Sequence, residues 1–180
     1  VPREPLPHFR YHPDPLRTGS VISSNAQCLR CGQSRGYVYA LAPYTEAEVD
    51  EETICPWCIA DGSAALEWAA TFVDGSDLSG EISDSAFATL TERTPGYAAW
   101  QNEAWRACCG DAAAFLGPAG RADLDDDLLE SLTEYVIDEM DVDEEEAAEM
   151  VESLDRDKGP TAYLFQCLHC RTRLFHVDFP

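Results

Sequence analysis

The chain has 180 residues, 45% of them hydrophobic, and its 34 acidic side chains against 12 basic ones give a formal charge of −22. A surface this acidic argues against nucleic-acid binding, which needs a basic face to meet phosphate. No run nears the ~20 apolar residues that span a bilayer, and the opening Val1-Pro2-Arg3-Glu4 stretch lacks a signal-peptide core, so no membrane role and a cytoplasmic location are expected.

The length suits a single domain, residues 1–180, able to bury a real core. Residues 1–20 are proline-rich, which blocks helix, and they carry Phe9, Tyr11 and Leu16. An extended segment lying along the body of the protein is expected. His8 and His12 read as surface or packing histidines.

Residues 28–58 hold Cys28-Leu29-Arg30-Cys31-Gly32 and, after 23 intervening residues, Cys55-Pro56-Trp57-Cys58. Each Cys-x-x-Cys places two sulfurs on one tight turn, and two such turns supply the four thiolates of a tetrahedral zinc site. Gly32 follows a second ligand cysteine, where the chain must turn sharply. Cys28, Cys31, Cys55 and Cys58 are therefore read as one structural zinc site. A different pairing stays open, with Cys28 and Cys31 joining Cys167 and Cys170. Gly36-Tyr37-Val38-Tyr39-Ala40 between the knuckles reads as a strand, and residues 43–54 as a turn with a short acidic helix or loop.

Beyond Ile59 the pattern turns helical. Residues 61–72 read as one helix with Leu66, Ala69 and Ala70 on its inner face, stopped at Asp74-Gly75. A second helix is expected from Ser83 or Asp84 with Phe87 and Leu90 inward, and a third over residues 97–108. Asp111 then suits the cap of a short helix over residues 112–116, closed by Gly117-Pro118. The four tryptophans Trp57, Trp68, Trp100 and Trp105 are assigned to the core.

Residues 123–157 carry 17 of the 34 acidic side chains, yet Leu124, Leu128, Leu129, Leu132, Tyr135, Val136 and Met140 keep a helical apolar stripe. Asp143 with Glu146 three residues on has capping-box spacing, and Ala147, Met150, Val151 and Leu154 form a second inner face. A helical hairpin is predicted, apolar inside and acidic outside. Its charge suits a solvated face, or contact with a basic protein partner. Residues 161–179 form two β-rich runs around a third Cys-x-x-Cys, Cys167-Leu168-His169-Cys170, at a hairpin tip.

Cys167 and Cys170 need two more ligands for a second zinc, and Cys109, Cys108, His169 or Asp111 are the candidates. Cys108 and Cys109 are adjacent, so their side chains are expected to point apart and not to share an ion; their alternative is a thiol at a helix end in the core. A redox reading rests on Cys55-Pro56-Trp57-Cys58 leading into a helix, whose dipole lowers a thiol pKa. No strand–helix–strand pattern surrounds it. No nucleophile elbow, hydrolytic constellation or phosphate-cradling loop is present, so no catalytic residue is assigned.

The motifs Tyr11-His12-Pro13-Asp14-Pro15, Cys55-Pro56-Trp57-Cys58-Ile59-Ala60-Asp61-Gly62, Arg93-Thr94-Pro95-Gly96, Gly110-Asp111-Ala112-Ala113-Ala114-Phe115-Leu116-Gly117 and Tyr163-Leu164-Phe165-Gln166-Cys167-Leu168-His169-Cys170 resemble the CbrC family, small bacterial proteins associated with tolerance to a nuclease colicin. The resemblance runs from about Leu6 to the C-terminus. It implies an intracellular bacterial protein and supplies no catalytic residues. The family's last knuckle reads Cys-x-x-Cys-Gly, whereas Arg171 stands at that glycine here. The expected fold is α+β: a zinc-knuckle β-region, built from both ends of the chain, packed on about five helices. The C-terminal knuckle is expected to return to the N-terminal one. The expected role is non-enzymatic, through protein contacts.

Overall fold

A computed structural model describes residues 4–179. Among these residues the architecture is α+β, with five α-helices and small antiparallel sheets. Strands β1 (Val21–Ser23) and β2 (Tyr37–Tyr39) pair antiparallel, with Val21 opposite Tyr39. The aromatic run thus forms the strand its composition favours. The N-terminal segment lies along the body as expected, burying Phe9 and Tyr11, while Leu16 stays exposed. His12 is fully buried; its Nδ1–H donates to the Pro95 carbonyl at 2.7 Å, and its Nε2 lies 2.7 Å from the Thr18 hydroxyl. Burial pushes its pKa down to about 4, so it packs as a neutral ring.

The acidic stretch over residues 43–54 is irregular, without a helix. The helix predicted over residues 61–72 is shorter, α2 (Ser63–Trp68), and a separate short helix, α1 (Pro56–Ala60), precedes it. Gly62 between them is left-handed, and so is Ala69, which ends α2. This break turns Leu66 outward, 86% exposed, instead of into the core. Helix α3 (Asp84–Arg93) starts where predicted, because the Ser83 hydroxyl accepts from the Ala86 N–H. Its Leu90 is buried, and Phe87 remains 41% exposed.

Two predicted helices are absent. Residues 97–108 are irregular up to β3 (Ala107–Cys108), and residues 112–116 fall in β4 (Asp111–Ala112) and β5 (Ala114–Ala119). In both, long-range partners outweigh local propensity. The buried Glu103 carboxylate accepts the backbone N–H groups of Asp74 and Tyr97, and the Trp105 indole N–H donates to the Ala113 carbonyl. The alanine-rich run pairs with β6 (Thr161–Gln166), placing Phe115 opposite Phe165. Of the tryptophans, Trp105 is in the core and Trp57 and Trp68 pack partly buried. Trp100 is 43% exposed, a correction to its core assignment; its indole N–H donates to the Thr161 hydroxyl instead.

Strands β5, β6 and β7 (Arg173–Asp178) form an antiparallel sheet with β6 central. The acidic hairpin is present as α4 (Asp126–Met140) and α5 (Glu144–Glu152). Asp125 and Asp143 cap these helices by accepting the Leu128 and Glu146 N–H groups. Leu132 and Val136 of α4 and Ala147 and Val151 of α5 are buried against Phe175 and Val177 of β7. The carboxylates of the first helical turns gain from the helix dipole.

The apolar side chains gather in three clusters: around Cys28, Cys55 and Cys58; around Trp105, Tyr97 and Phe115; and beneath the acidic hairpin. The β-region consists of small separate sheets. The β1–β2 pair and the β5–β6–β7 sheet are separate. The C-terminal knuckle does not return to the N-terminal one. Central β6 is paired on both edges, by β5 and β7, so the knuckle after it is held beside the β3–β4 turn.

Candidate metal centres

The first knuckle follows from local backbone bonding. The Cys28 N–H donates to the Gln33 carbonyl at 2.9 Å, and the Gly32 N–H returns to the Cys28 carbonyl at 2.8 Å. Gly32 has φ +67°, and a Cβ there would meet nothing within 4 Å. The second pair stands at the start of α1: Cys55 is the N-cap residue, Pro56 opens the helix, and the Cys58 N–H bonds the Cys55 carbonyl. The two meet because the Leu29 N–H donates to Thr53 and the Cys55 N–H donates to the Cys28 sulfur at 3.2 Å.

The sulfurs of Cys28, Cys31, Cys55 and Cys58 all lie within 4.8 Å of one another. Cys28 and Cys58 are 3.9 Å apart, and Cys31 and Cys55 are 3.8 Å apart. A tetrahedral ion with Zn–S bonds of about 2.3 Å has S···S edges of about 3.8 Å, so this donor set fits zinc. Three of the four cysteines are buried and Cys31 is half-buried. Without a cation the sulfurs cannot share negative charge. The Cys55 thiol bond pulls Cys28 down, the same bond holds Cys55 up, and burial pushes Cys58 up.

A second cluster lies at the tip of the β6–β7 hairpin. Its knuckle repeats the bonds of the first: the Cys167 N–H donates to the Thr172 carbonyl at 2.9 Å, and the Arg171 N–H to the Cys167 carbonyl at 3.2 Å. Arg171 holds φ +66° where Gly32 holds +67°. Arginine thus takes the glycine conformation, and the departure at Arg171 leaves the knuckle intact. The His169 and Cys170 N–H groups point at the Cys167 sulfur, at 3.4 and 3.5 Å.

The partners of this knuckle are Cys108 and Cys109 together. Strands β3 and β4 pair Cys108 with Asp111, leaving Cys109 and Gly110 as a two-residue turn, both left-handed at φ +56° and +72°. In that conformation the Cys109 side chain swings back beside its neighbour, and the two sulfurs are 3.7 Å apart. The expectation that adjacent cysteines point apart assumed an ordinary backbone, and the left-handed turn overturns it. Nor is the pair a core thiol at a helix end: Cys109 is exposed and Cys108 half-buried. Cys108 and Cys170 are 3.6 Å apart, and the four sulfurs lie within 4.8 Å of one another. These distances also match tetrahedral zinc–thiolate edges. Both candidates Cys108 and Cys109 thus join the centre, an arrangement signalled by the Cys109-Gly110 dipeptide between two short strand runs.

His169 and Asp111, the other candidate ligands, do not join the sulfurs. They bond one another, His169 Nε2 to Asp111 Oδ2 at 2.9 Å. Asp111 also accepts from Tyr11 at 2.6 Å and Arg10 at 2.5 Å. Burial opposes its charge, but the bonds from Tyr11, Arg10 and His169 prevail and hold it at about 2. His8 remains exposed.

The knuckle geometry makes one substitution pair decisive. Gly32→Ala meets no steric contact, so its cost is that of a left-handed alanine, about 1 kcal/mol. Arg171→Gly releases the same strain at the other knuckle, offset by added freedom of the unfolded chain, and should leave stability equal or slightly higher. Urea midpoints of the two variants check this. A destabilised Arg171→Gly would mean that the arginine side chain, not the backbone, holds the turn.

Among the described residues no helix is long and apolar enough to cross a membrane. No solved structure matches the chain. A UPF0167 protein of Pseudomonas aeruginosa is 42% identical over 176 residues, covering 97% of this chain and 98% of the relative. UPF0167 proteins of Mycobacterium bovis and Mycobacterium tuberculosis are each 44% identical over 178 residues, covering 97% of this chain and 94% of theirs. The profile of the uncharacterised protein family UPF0167 matches residues 6–179, and the chain belongs to that family.

Proposed function

We propose that this is a non-enzymatic protein that carries zinc in both four-cysteine clusters and acts through contacts with another protein. The observation that carries the zinc reading is the spacing of sulfurs at tetrahedral edges in two separate places, 3.6–3.9 Å between neighbours. Zinc, when bound, lets four crowded sulfurs all be thiolates. The protein's part is to present those sulfurs pre-placed: two matching knuckles, one facing a helix start and one facing a left-handed turn.

The first centre sits inside an apolar cluster with Phe9, Tyr39, Ile54, Ile59 and Phe72, which suits a structural ion. A thiol-redox role for Cys55 and Cys58 requires a sulfur that a substrate can reach, and these residues are 1% and 4% exposed. Burial favours the structural role. The α4–α5 hairpin supplies the charge for a basic protein partner. Its carboxylates line the outer face, and its inner face is already committed to β7. On the CbrC resemblance, the setting would be a bacterial cytoplasm and the process tolerance to a colicin.

Elemental analysis of the purified chain should give two zinc ions, with the four cysteines of the enclosed first cluster protected from a thiol reagent until chelator is added. One zinc would withdraw the second centre. None, with a fast-reacting Cys55, would replace the structural reading by the redox one. A basic protein should bind the wild type and lose affinity when α4 and α5 carboxylates are replaced by amides, with a steep salt dependence. Binding indifferent to those replacements would remove the hairpin as the contact face.

A further inference from the structure

The two centres differ in one respect that the proposed function does not use. The first is enclosed, whereas the second opens on a cleft of about 430 Å³ lined by Arg10, Ser83, Thr89, Cys109, Asp111 and His169. We propose that Cys109 is a nucleophile, its sulfur accepting an alkyl group from a small carbon electrophile that enters this cleft. The proposal rests on the reading of the second cluster as a zinc–thiolate centre, and it concerns what that centre reacts with.

Three observations select Cys109 among the eight cysteines. It is exposed and lines the cleft, whereas Cys167 is buried and Cys108 half-buried. Among the described residues no N–H group donates to its sulfur. By contrast Cys167 receives two N–H bonds and Cys28 receives one, while Cys170, the other exposed cysteine, lies 3.2 Å from the Thr172 hydroxyl. Hydrogen bonds to a thiolate draw charge from it and blunt its attack, so of the two exposed sulfurs, Cys109 and Cys170, Cys109 is the stronger nucleophile. Finally, Cys109 sits on a two-residue turn, so alkylation need not break a strand pair or a helix.

The reaction balances without an oxidant. The Cys109 thiolate gives its electron pair to the carbon of R–X, forming the S–C bond, while the C–X bond breaks and X⁻ departs with its pair. The product is an S-alkyl cysteine. Arg10 and His169, both bonded to the Asp111 carboxylate, line the same cleft as Cys109 and supply N–H donors for the departing anion. The substrate class is therefore a small alkyl donor with an anionic leaving group.

The test is alkylation of the purified, zinc-containing full chain with limiting iodoacetamide, mapped by peptide mass spectrometry beside native-mass counting of zinc. The expected result is a first adduct on Cys109, formed about tenfold faster than on any other cysteine, in molecules that held two zinc ions before reaction. In Cys109→Ser the fast phase should vanish while the slow ones persist. A first adduct on Cys170 or Cys108, or even reactivity across the exposed cysteines, overturns the proposal while leaving the zinc reading standing. A native mass with a single zinc overturns the second centre itself, and this proposal with it.

Discussion

Cys58→Ser is expected to leave the first cluster unable to hold zinc and the chain unable to unfold cooperatively. A structural zinc contributes on the order of 10 kcal/mol to folding, as much as the whole net stability of an ordinary domain. Here the loss is amplified by position: Cys28, Cys55 and Cys58 are themselves core residues, packed with Tyr39, Ile59 and Phe72. Three remaining sulfurs would be left crowded and charged without a counter-ion. Circular dichroism and zinc content of the variant check this. A folded, soluble Cys58→Ser protein would mean that the metal is dispensable and would favour the redox reading. Cys170→Ser is expected to cost less, because the β6 ladder with β5 and β7 persists without the tip.

Glu103→Ala is the second large effect, on the order of 3 kcal/mol, since it strips the Asp74 and Tyr97 N–H groups of their acceptor. Glu103 is 3% exposed, and its carboxylate organises the turn in place of the predicted helix. Burial pushes its pKa from 4.5 up to about 7, although the two N–H bonds pull the other way. The folded chain thus holds a proton on Glu103 between these values, where the unfolded chain has released it. A proton held only when folded favours folding, and that contribution fades as pH rises through the folded pKa. The deficit of Glu103→Ala relative to wild type should therefore be larger at about pH 5.5 than at about pH 8. Paired urea titrations at the two values measure it. A deficit that is the same at both values would show that Glu103 is ionised throughout and acts only as an acceptor.

The UPF0167 relatives match this chain across nearly all of their length, so the two-centre arrangement can be tested in them directly by metal content. The family profile spans residues 6–179 of this chain and so covers the segments that hold both clusters.

Several features were settled by local chemistry and could be read in order along the chain. The strand at Tyr37–Tyr39, the starts of α3, α4 and α5, and the hairpin tip at Cys167–Cys170 each depend on a few neighbouring residues. A side-chain cap, an apolar stripe or a β-branched run acts within one or two turns of its own position. The first knuckle is likewise local, and its partner at Cys55 is announced by the repeated Cys-x-x-Cys.

What sequence could not show was decided by long-range contacts. The alanine run at 112–116 has helix propensity, but it is worth less than a ladder of bonds to β6, some 50 residues away. The second cluster depends on that same pairing. It brings Cys108 and Cys109 to a knuckle 58 or more residues downstream. The left-handed turn then decides that both cysteines, and not one, face the centre. Local sequence thus determined which turns could grip an ion. Only the register of β5 on β6 determined which turns met, because strand pairing is a property of two distant segments and of neither alone.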